Sequence, residues 1–202
     1  MTSKLVTLLC ALLCMQFATS ARAAPSDPAA IQVQTLNDAL LKSMQGGAAQ
    51  SMTERFRNLE PVIEKVFALP LITQLAVGPD YWAKFTPEEQ KAVIAAFTRF
   101  TIANYAHNFR DFDGQKFEID DNVPTRGAEK IVRTRIIPAR DTPVSLLYRM
   151  HDVDGTWKVV DVISDGVSSL ALRRTDFAAA LGSGGAPVLI AHLNKSSDNL
   201  LK

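Results

Sequence analysis

The chain has 202 residues, 22 basic and 21 acidic side chains, a formal net charge of +1 and two cysteines. That size suits one domain with a full hydrophobic core. The near-neutral balance argues against non-specific nucleic-acid binding, which needs a strong basic excess.

The first element reads as a targeting segment. Lys4 precedes an almost unbroken apolar run over residues 5–17, and Ala21-Arg22-Ala23 follows. Basic, apolar and small-residue regions in that order make a secretory signal, cleaved before Ala24. The run is shorter than the roughly 20 residues a spanning helix needs. Cys10 and Cys14 each follow a leucine, where lipoprotein processing wants a small residue. Cleavage would remove both cysteines, so residues 24–202 are expected to hold no disulfide and no thiolate site. Loss of Lys4 and Arg22 would leave 20 basic against 21 acidic residues. No second run of spanning length is evident, and a single soluble, monomeric domain over 24–202 is expected.

A Pro-, Ala- and Ser-rich leader comes next. Ile31, Leu36, Leu40 and Leu41 recur near helical spacing and predict a helix over 27–44, stopped by Gly46-Gly47. Ser51 with Glu54 is a capping box for a second helix, which Pro61 should restart or kink. A short helix is expected over 71–77, ending at Gly78-Pro79. Thr86, Pro87 and Glu89 mark the start of a helix running to about residue 109. Its apolar face is wider than a coiled-coil seam and suits a core or a cavity.

From Asp111 the period changes to two. Alternation at 116–119, 130–137, 145–151 and 157–163 predicts four antiparallel strands, apolar on one face and charged on the other. Asp154-Gly155 predicts the tight turn between the last two strands, and Asp165-Gly166 closes the sheet. Short helices are expected at 176–181, capped by Thr175, and at 187–200. The fold class is therefore α+β: N-terminal helices, a curved four-stranded antiparallel sheet and C-terminal helices enclosing an apolar pocket. Composition and spacing leave open whether side chains or a ligand fill it.

Several ordered motifs carry a resemblance. Tyr81-Trp82, Thr86-Pro87-Glu88-Glu89-Gln90, Phe97 and Tyr105 are followed by Phe112-Asp113-Gly114-Gln115-Lys116-Phe117. Trp157-Lys158-Val159-Val160-Asp161-Val162, Asp165-Gly166-Val167-Ser168, Arg173-Arg174 and Phe177 complete the set. Together they resemble the MlaC-like, or toluene-tolerance, family of periplasmic lipid-binding proteins. The resemblance implies a carrier, not an enzyme, that shuttles lipid between an inner-membrane transporter and outer-membrane lipoprotein complexes. It implies no cofactor. Asp165 replaces the family's usual glutamate, and Leu170-Ala171-Leu172-Arg173-Arg174 looks more like the hopanoid-associated HpnM-like branch. The implied ligand is thus a phospholipid or a hopanoid.

A lipid cavity would be walled by residues of the apolar faces. From the helices these are Phe67, Leu71, Leu75, Ile94, Phe97, Phe100, Thr101, Tyr105 and Phe109. From the strands they are Phe117, Val132, Thr134, Ile136, Leu146, Tyr148, Met150, Val160, Val162 and Val167. Ordinary core packing is the competing reading of the same stripes. Arg133, Arg135 and Arg149 form a charged strand face that docks an acidic partner, neutralises a phosphate at the pocket mouth, or is simply solvated. Asp161 among valines is a structural acid bonding nearby backbone or an arginine, or else a buried base. A pocket enzyme would use Asp161, Tyr105 or His151; a non-carrying adaptor would use only the charged face. His107, His151 and His192 lack metal-ligand spacing, so no metal is expected. Asp152 to Gly155 lacks the third acid and terminal glutamate of a calcium loop. Asn194-Lys195-Ser196 matches a glycosylation triplet by accident.

N-terminal sequencing of exported protein should read from Ala24. A mature form that retains residues 5–17 would show instead that this segment is an anchor.

Overall fold

Asp27 opens the first helix by accepting the Ala29 backbone N–H at 2.8 Å, an N-cap that satisfies one of the orphan donors of the first turn. In this computed structural model, which describes residues 25–202, the same carboxylate accepts a hydrogen bond from Lys130 Nζ at 2.6 Å. Lys130 in turn lies 4.9 Å from the Trp157 ring centre. Helix α1 (Pro28–Gln45) is thereby tied at its start to the sheet. Its other end is held by Arg55, a buried arginine that donates to the Ser43 and Gly47 carbonyls. A cation at a helix C-terminus meets the unpaired carbonyls and the negative end of the dipole. The signal segment and its cleavage site lie outside the described residues.

Helix α2 (Met52–Val66) starts from the expected Ser51–Glu54 capping box. It is not restarted at Pro61, which sits inside a continuous helix. Pro61 and Arg57 are both exposed, so water can satisfy the carbonyl that proline leaves unpaired. After a one-residue bridge from Phe67 to Val159, α3 (Leu69–Val77) begins earlier than residue 71, with Pro70 in its first turn. A short α4 (Pro79–Trp82) leads to α5 (Pro87–Asn108), whose Thr86–Glu89 capping box is fully formed.

The sheet corrects the expected architecture. It has six antiparallel strands rather than four: β1 (Lys116–Ile119), β2 (Thr125–Arg126), β3 (Glu129–Ile137), β4 (Val144–Val153), β5 (Thr156–Ser164) and β6 (Val167–Ser168). The order is β1-β3-β4-β5-β6, with β2 pairing onto β3. This path is open, its end strands not joined, so the sheet is neither curled into a closed wall nor the curved four-stranded meander expected. The two added strands are two residues long, too short to display alternation. They exist because β3 and β5 offer them ladder partners. The β4–β5 turn is as expected: Asp154 and Gly155 both take positive φ, 52° and 78°, which a two-residue hairpin turn requires.

Helix α6 (Ser169–Leu200) replaces the two short helices expected near the C-terminus. Its N-cap is Ser168, not Thr175, and its first turn follows β6 directly. Gly184 and Gly185 break it with non-helical dihedrals, where the expected break falls. One 18-residue window of α6 reaches the mean hydropathy of a spanning helix, contrary to the expectation that no such run follows the signal segment. The glycine break divides the helix, and Leu170, Phe177, Leu181, Leu189 and Leu193 on it are buried in the core. That core lies between the helices and one face of the sheet, with Val132, Tyr148, Met150 and Val159 buried on the sheet side.

Candidate functional site

The β4–β5 ladder contains a bulge. Arg149 pairs with Asp161 but Met150 pairs with Val159, leaving Val160 as the extra residue. A bulge shifts the phase of alternation along its strand. Val159 therefore faces the core opposite Met150, while Val160 and Val162 beyond the shift also turn inward, beside Tyr148. This switch builds one wall of a cavity.

The cavity has a volume of about 330 Å³. The opposite wall is α5, through Phe97, Phe100, Thr101, Tyr105 and Phe109. The aromatic rings on and around this wall make two contact groups: Phe67–Tyr105 at 5.5 Å with Tyr105–Phe109 stacked at 5.7 Å, and Phe97 stacked with Phe100 at 6.4 Å and edge-on to Phe177 at 5.6 Å. Leu69 and Ile72 of α3, Ile136 of β3, and Val144, Leu146 and Tyr148 of β4 complete the apolar lining. The Thr101 hydroxyl donates to the Phe97 carbonyl at 2.9 Å, so it brings no unmet polarity. Burial pushes both phenols up, Tyr105 well above 10.0 and more so beside Tyr148. Both stay protonated, and the apolar walls are electrically neutral.

Polar groups also belong to the lining: Asn104 and Asn108 on α5, Ser164 on β5, Ser169 and Arg173 on α6. Asp161 also borders the cavity but is committed to structure. Its carboxylate accepts from Ser168 Oγ at 2.7 Å and from the Leu170 N–H at 3.0 Å, and lies 3.6 Å from Arg149. This is the structural reading of Asp161: a buried acid satisfied by backbone and arginine. His151 pairs in register with Glu129 and Lys158 and does not line the cavity. Asp161, Tyr105 and His151 are not assembled into an acid–base site.

Eleven of the sequence-predicted wall residues line this cavity: Phe67, Phe97, Phe100, Thr101, Tyr105, Phe109, Ile136, Leu146, Tyr148, Val160 and Val162. Eight do not. Val132 and Met150 are fully buried in the core, and Phe117 packs behind the wall against Phe109 at 6.3 Å. Leu71, Leu75 and Ile94 are half-buried on their helices away from it, Thr134 is buried, and Val167 is 52% exposed on β6. The residues missed are mostly polar or on neighbouring elements. Asn104 and Asn108 lie on the same α5 stripe as Phe97 and Thr101, at steps of three and four; a search for apolar side chains alone passes over them.

A second hollow, about 600 Å³, is lined by residues that include Arg133, Thr134, Arg135, Glu118, Leu147, Ile163 and Asp165. Arg133 and Arg135 alternate with the inward Val132, Thr134 and Ile136, so they sit on the sheet's outer face. Arg135 pairs with Glu118 at 2.7 Å. Arg149 is outside this hollow and is bound twice by Glu129, at 2.7 and 3.2 Å.

A family model described as MlaC protein matches residues 34–195. The chain belongs to the MlaC family. Among curated relatives it is 25% identical over 175 residues to the intermembrane phospholipid transport system binding protein MlaC of Haemophilus influenzae, covering 83% of this chain and 81% of that one. It is also 25% identical over 105 residues to the toluene tolerance protein ttg2D of Pseudomonas putida, 52% of this chain and 49% of that one. The fold matches a phospholipid-binding protein from Ralstonia solanacearum, solved in complex with a phospholipid, with a TM-score of 0.75. Identity to it is 23%, over 88% of this chain and 100% of that one, so this likeness is one of fold. Membership in the MlaC family makes the chain a periplasmic lipid carrier and not an enzyme.

These relatives lend nothing to the hopanoid-associated branch. The Asp165 departure has a local cause in the MlaC-family fold seen in this chain. Asp165 takes a left-handed φ of 49° ahead of Gly166 at 85°, and aspartate tolerates that region better than a longer side chain. The residue is turn chemistry and marks no particular ligand.

The Arg149–Glu129 pair gives a pH prediction. The hydrogen bond from Arg149 holds the Glu129 carboxyl below its ordinary 4.5, helped by the arginine charge and opposed by burial. A carboxyl whose folded value is depressed stabilises the fold above its unfolded value and loses that contribution as pH falls through the folded one. Glu129→Gln should lower the melting temperature at pH 7 by about 2–4 °C. The gap to wild type should close as melts are taken from pH 4.5 downward.

Proposed function

We propose that this chain carries a phospholipid by its acyl chains in the cavity between α5 and the sheet, as a monomer. It passes the lipid between an inner-membrane transporter and an outer-membrane lipoprotein complex. The observation that carries this reading is the cavity: about 330 Å³, with a lining that is mostly aromatic and aliphatic and includes a few polar side chains. Native cores hold few voids larger than a water molecule, so a space of this size is no packing defect. It falls within the roughly 300–1,000 Å³ typical of small-molecule sites.

The energetics favour such a device. At about 0.8 kcal/mol per CH₂, a sixteen-carbon chain exposed to water costs on the order of 12 kcal/mol. An apolar cavity removes that cost, while a charged head group is best left in contact with water. The names of the Haemophilus relative, a phospholipid transport protein, and of the phospholipid-bound Ralstonia protein support the same ligand class. For the protein-facing side of transfer, Arg133 and Arg135 beside the apolar Leu147 and Ile163 suit an acidic partner surface.

Native mass spectrometry of protein purified from periplasm tests the ligand. A bound two-chain phospholipid supports the proposal, a pentacyclic mass would reassign the ligand to a hopanoid, and a lipid-free protein would overturn the carrier reading. Leu146→Gln, Tyr148→Glu and Phe97→Glu place unpaired polarity in the walls and should lower lipid occupancy by roughly tenfold, with the circular dichroism spectrum retained. Folded variants with full occupancy would show that these side chains are not walls.

The docking face has its own test. Arg133→Glu with Arg135→Glu should leave bound lipid unchanged and slow transfer to the membrane complex, most at low ionic strength, since charge steering is screened by salt. Depleted lipid in that variant would instead make these arginines head-group ligands.

A further inference from the structure

We propose that Arg173 is the head-group selector of this carrier: it takes the phosphate of an anionic phospholipid at the cavity it lines. The inference rests on the carrier reading and adds to it the residue that chooses the lipid. Among the described residues lining the cavity, Arg173 is the one lysine or arginine. It lies one helical turn beyond Ser169 on α6, on the same lining.

The side chain is held ready rather than left to wave in solvent. Its guanidinium carbon sits 4.7 Å from the centre of the Phe100 ring, a cation–π contact that fixes the plane of the fork. Nη1 donates to Asp176 at 3.3 Å, and Asp176 is shared with His192 at 3.5 Å. Nε and Nη2 donate to no described protein group. Those two nitrogens form the edge of the fork that matches two phosphate oxygens.

The surroundings suit an anion more than a neutral ligand. Asp161, the one acid among the lining residues, is already bound by Ser168, Leu170 and Arg149. Ser164, Asn104 and Asn108 supply further polar atoms to the same lining. A half-buried arginine, 28% exposed on its side chain, keeps more of its attraction than one in open water. A diacylglycerol would fill the apolar walls equally well but leave the fork unmatched. The site therefore discriminates by the phosphate and holds by the chains.

The experiment uses the mature protein and mixed vesicles containing phosphatidylglycerol and diacylglycerol with the same acyl chains. Extracted lipid is quantified by mass spectrometry for wild type, Arg173→Gln and Arg173→Lys, each checked by circular dichroism. Wild type should favour phosphatidylglycerol, and Arg173→Gln should lose about tenfold of that preference while extracting as much diacylglycerol. Arg173→Lys keeps the charge without the fork and should fall between the two; it also serves if the glutamine variant misfolds. An unchanged preference in folded variants overturns the assignment and leaves the carrier reading standing. Failure of wild type to extract either lipid sinks the carrier reading itself. Inorganic phosphate tests the remaining source of the same chemistry. It should not compete at millimolar concentration; competition abolished by Arg173→Gln, with lipid preference unmoved, would make this a free-phosphate site and refute head-group selection.

Discussion

The carboxylate of Asp161 is the contact on which the cavity depends. It sits one residue past the β5 bulge and receives the Ser168 hydroxyl, the Leu170 N–H and the charge of Arg149. The first two bonds clamp the start of α6 to β5, so the helix departs from the sheet at a fixed point. Leu170 and Arg173 then lie beside α5, and a third side closes around the space between α5 and the strands. A buried carboxylate is costly unless every lone pair finds a donor. The structural demand that fixes α6 therefore also removes this acid from any catalytic role.

The same economy governs the rest of the lining. Aromatic rings in contact give α5 a stiff wall, and the two buried phenols remain neutral because burial opposes their ionisation. Cationic charge enters the lining at Arg173, whose side chain solvent still reaches. An amphiphile needs this separation: apolar chains gain from complete dehydration, and a head group loses by it. A catalytic pocket would instead place a titratable group with a shifted affinity against a partner base.

The sheet presents two unlike faces. Inward rows from β3, β4 and β5 carry Val132, Tyr148 and Val162; the outward rows carry Arg133, Leu147 and Ile163. Most outward charge is spent locally, on Glu118 by Arg135 and on Glu129 by Arg149. The cavity-facing rows and the arginine-bearing rows are separated by the thickness of one backbone layer. Binding at one face need not obstruct the other.

Local chemistry legible in the sequence determined the capped start of α5, the β4–β5 hairpin turn, the inward and outward rows of β3, and the aromatic stripe from Phe97 to Phe109. Each is set by residues within a few positions of one another. The ordered motifs also carried the family resemblance. Tertiary structure decided what depends on distant partners. The strands β2 and β6 exist only as ladders on longer neighbours. The β5 bulge breaks the alternation that a linear reading follows, so it alone determines which of the valines around Asp161 face the cavity. Thr175 looks like a helix cap in isolation, but Ser168 wins because Asp161 holds the chain there. Val132 and Met150 share their pattern with Leu146 and Tyr148; only the packing of the helices above them separates filled core from open cavity. Periodicity reports which face is apolar, whereas the space above that face depends on elements far away in the chain.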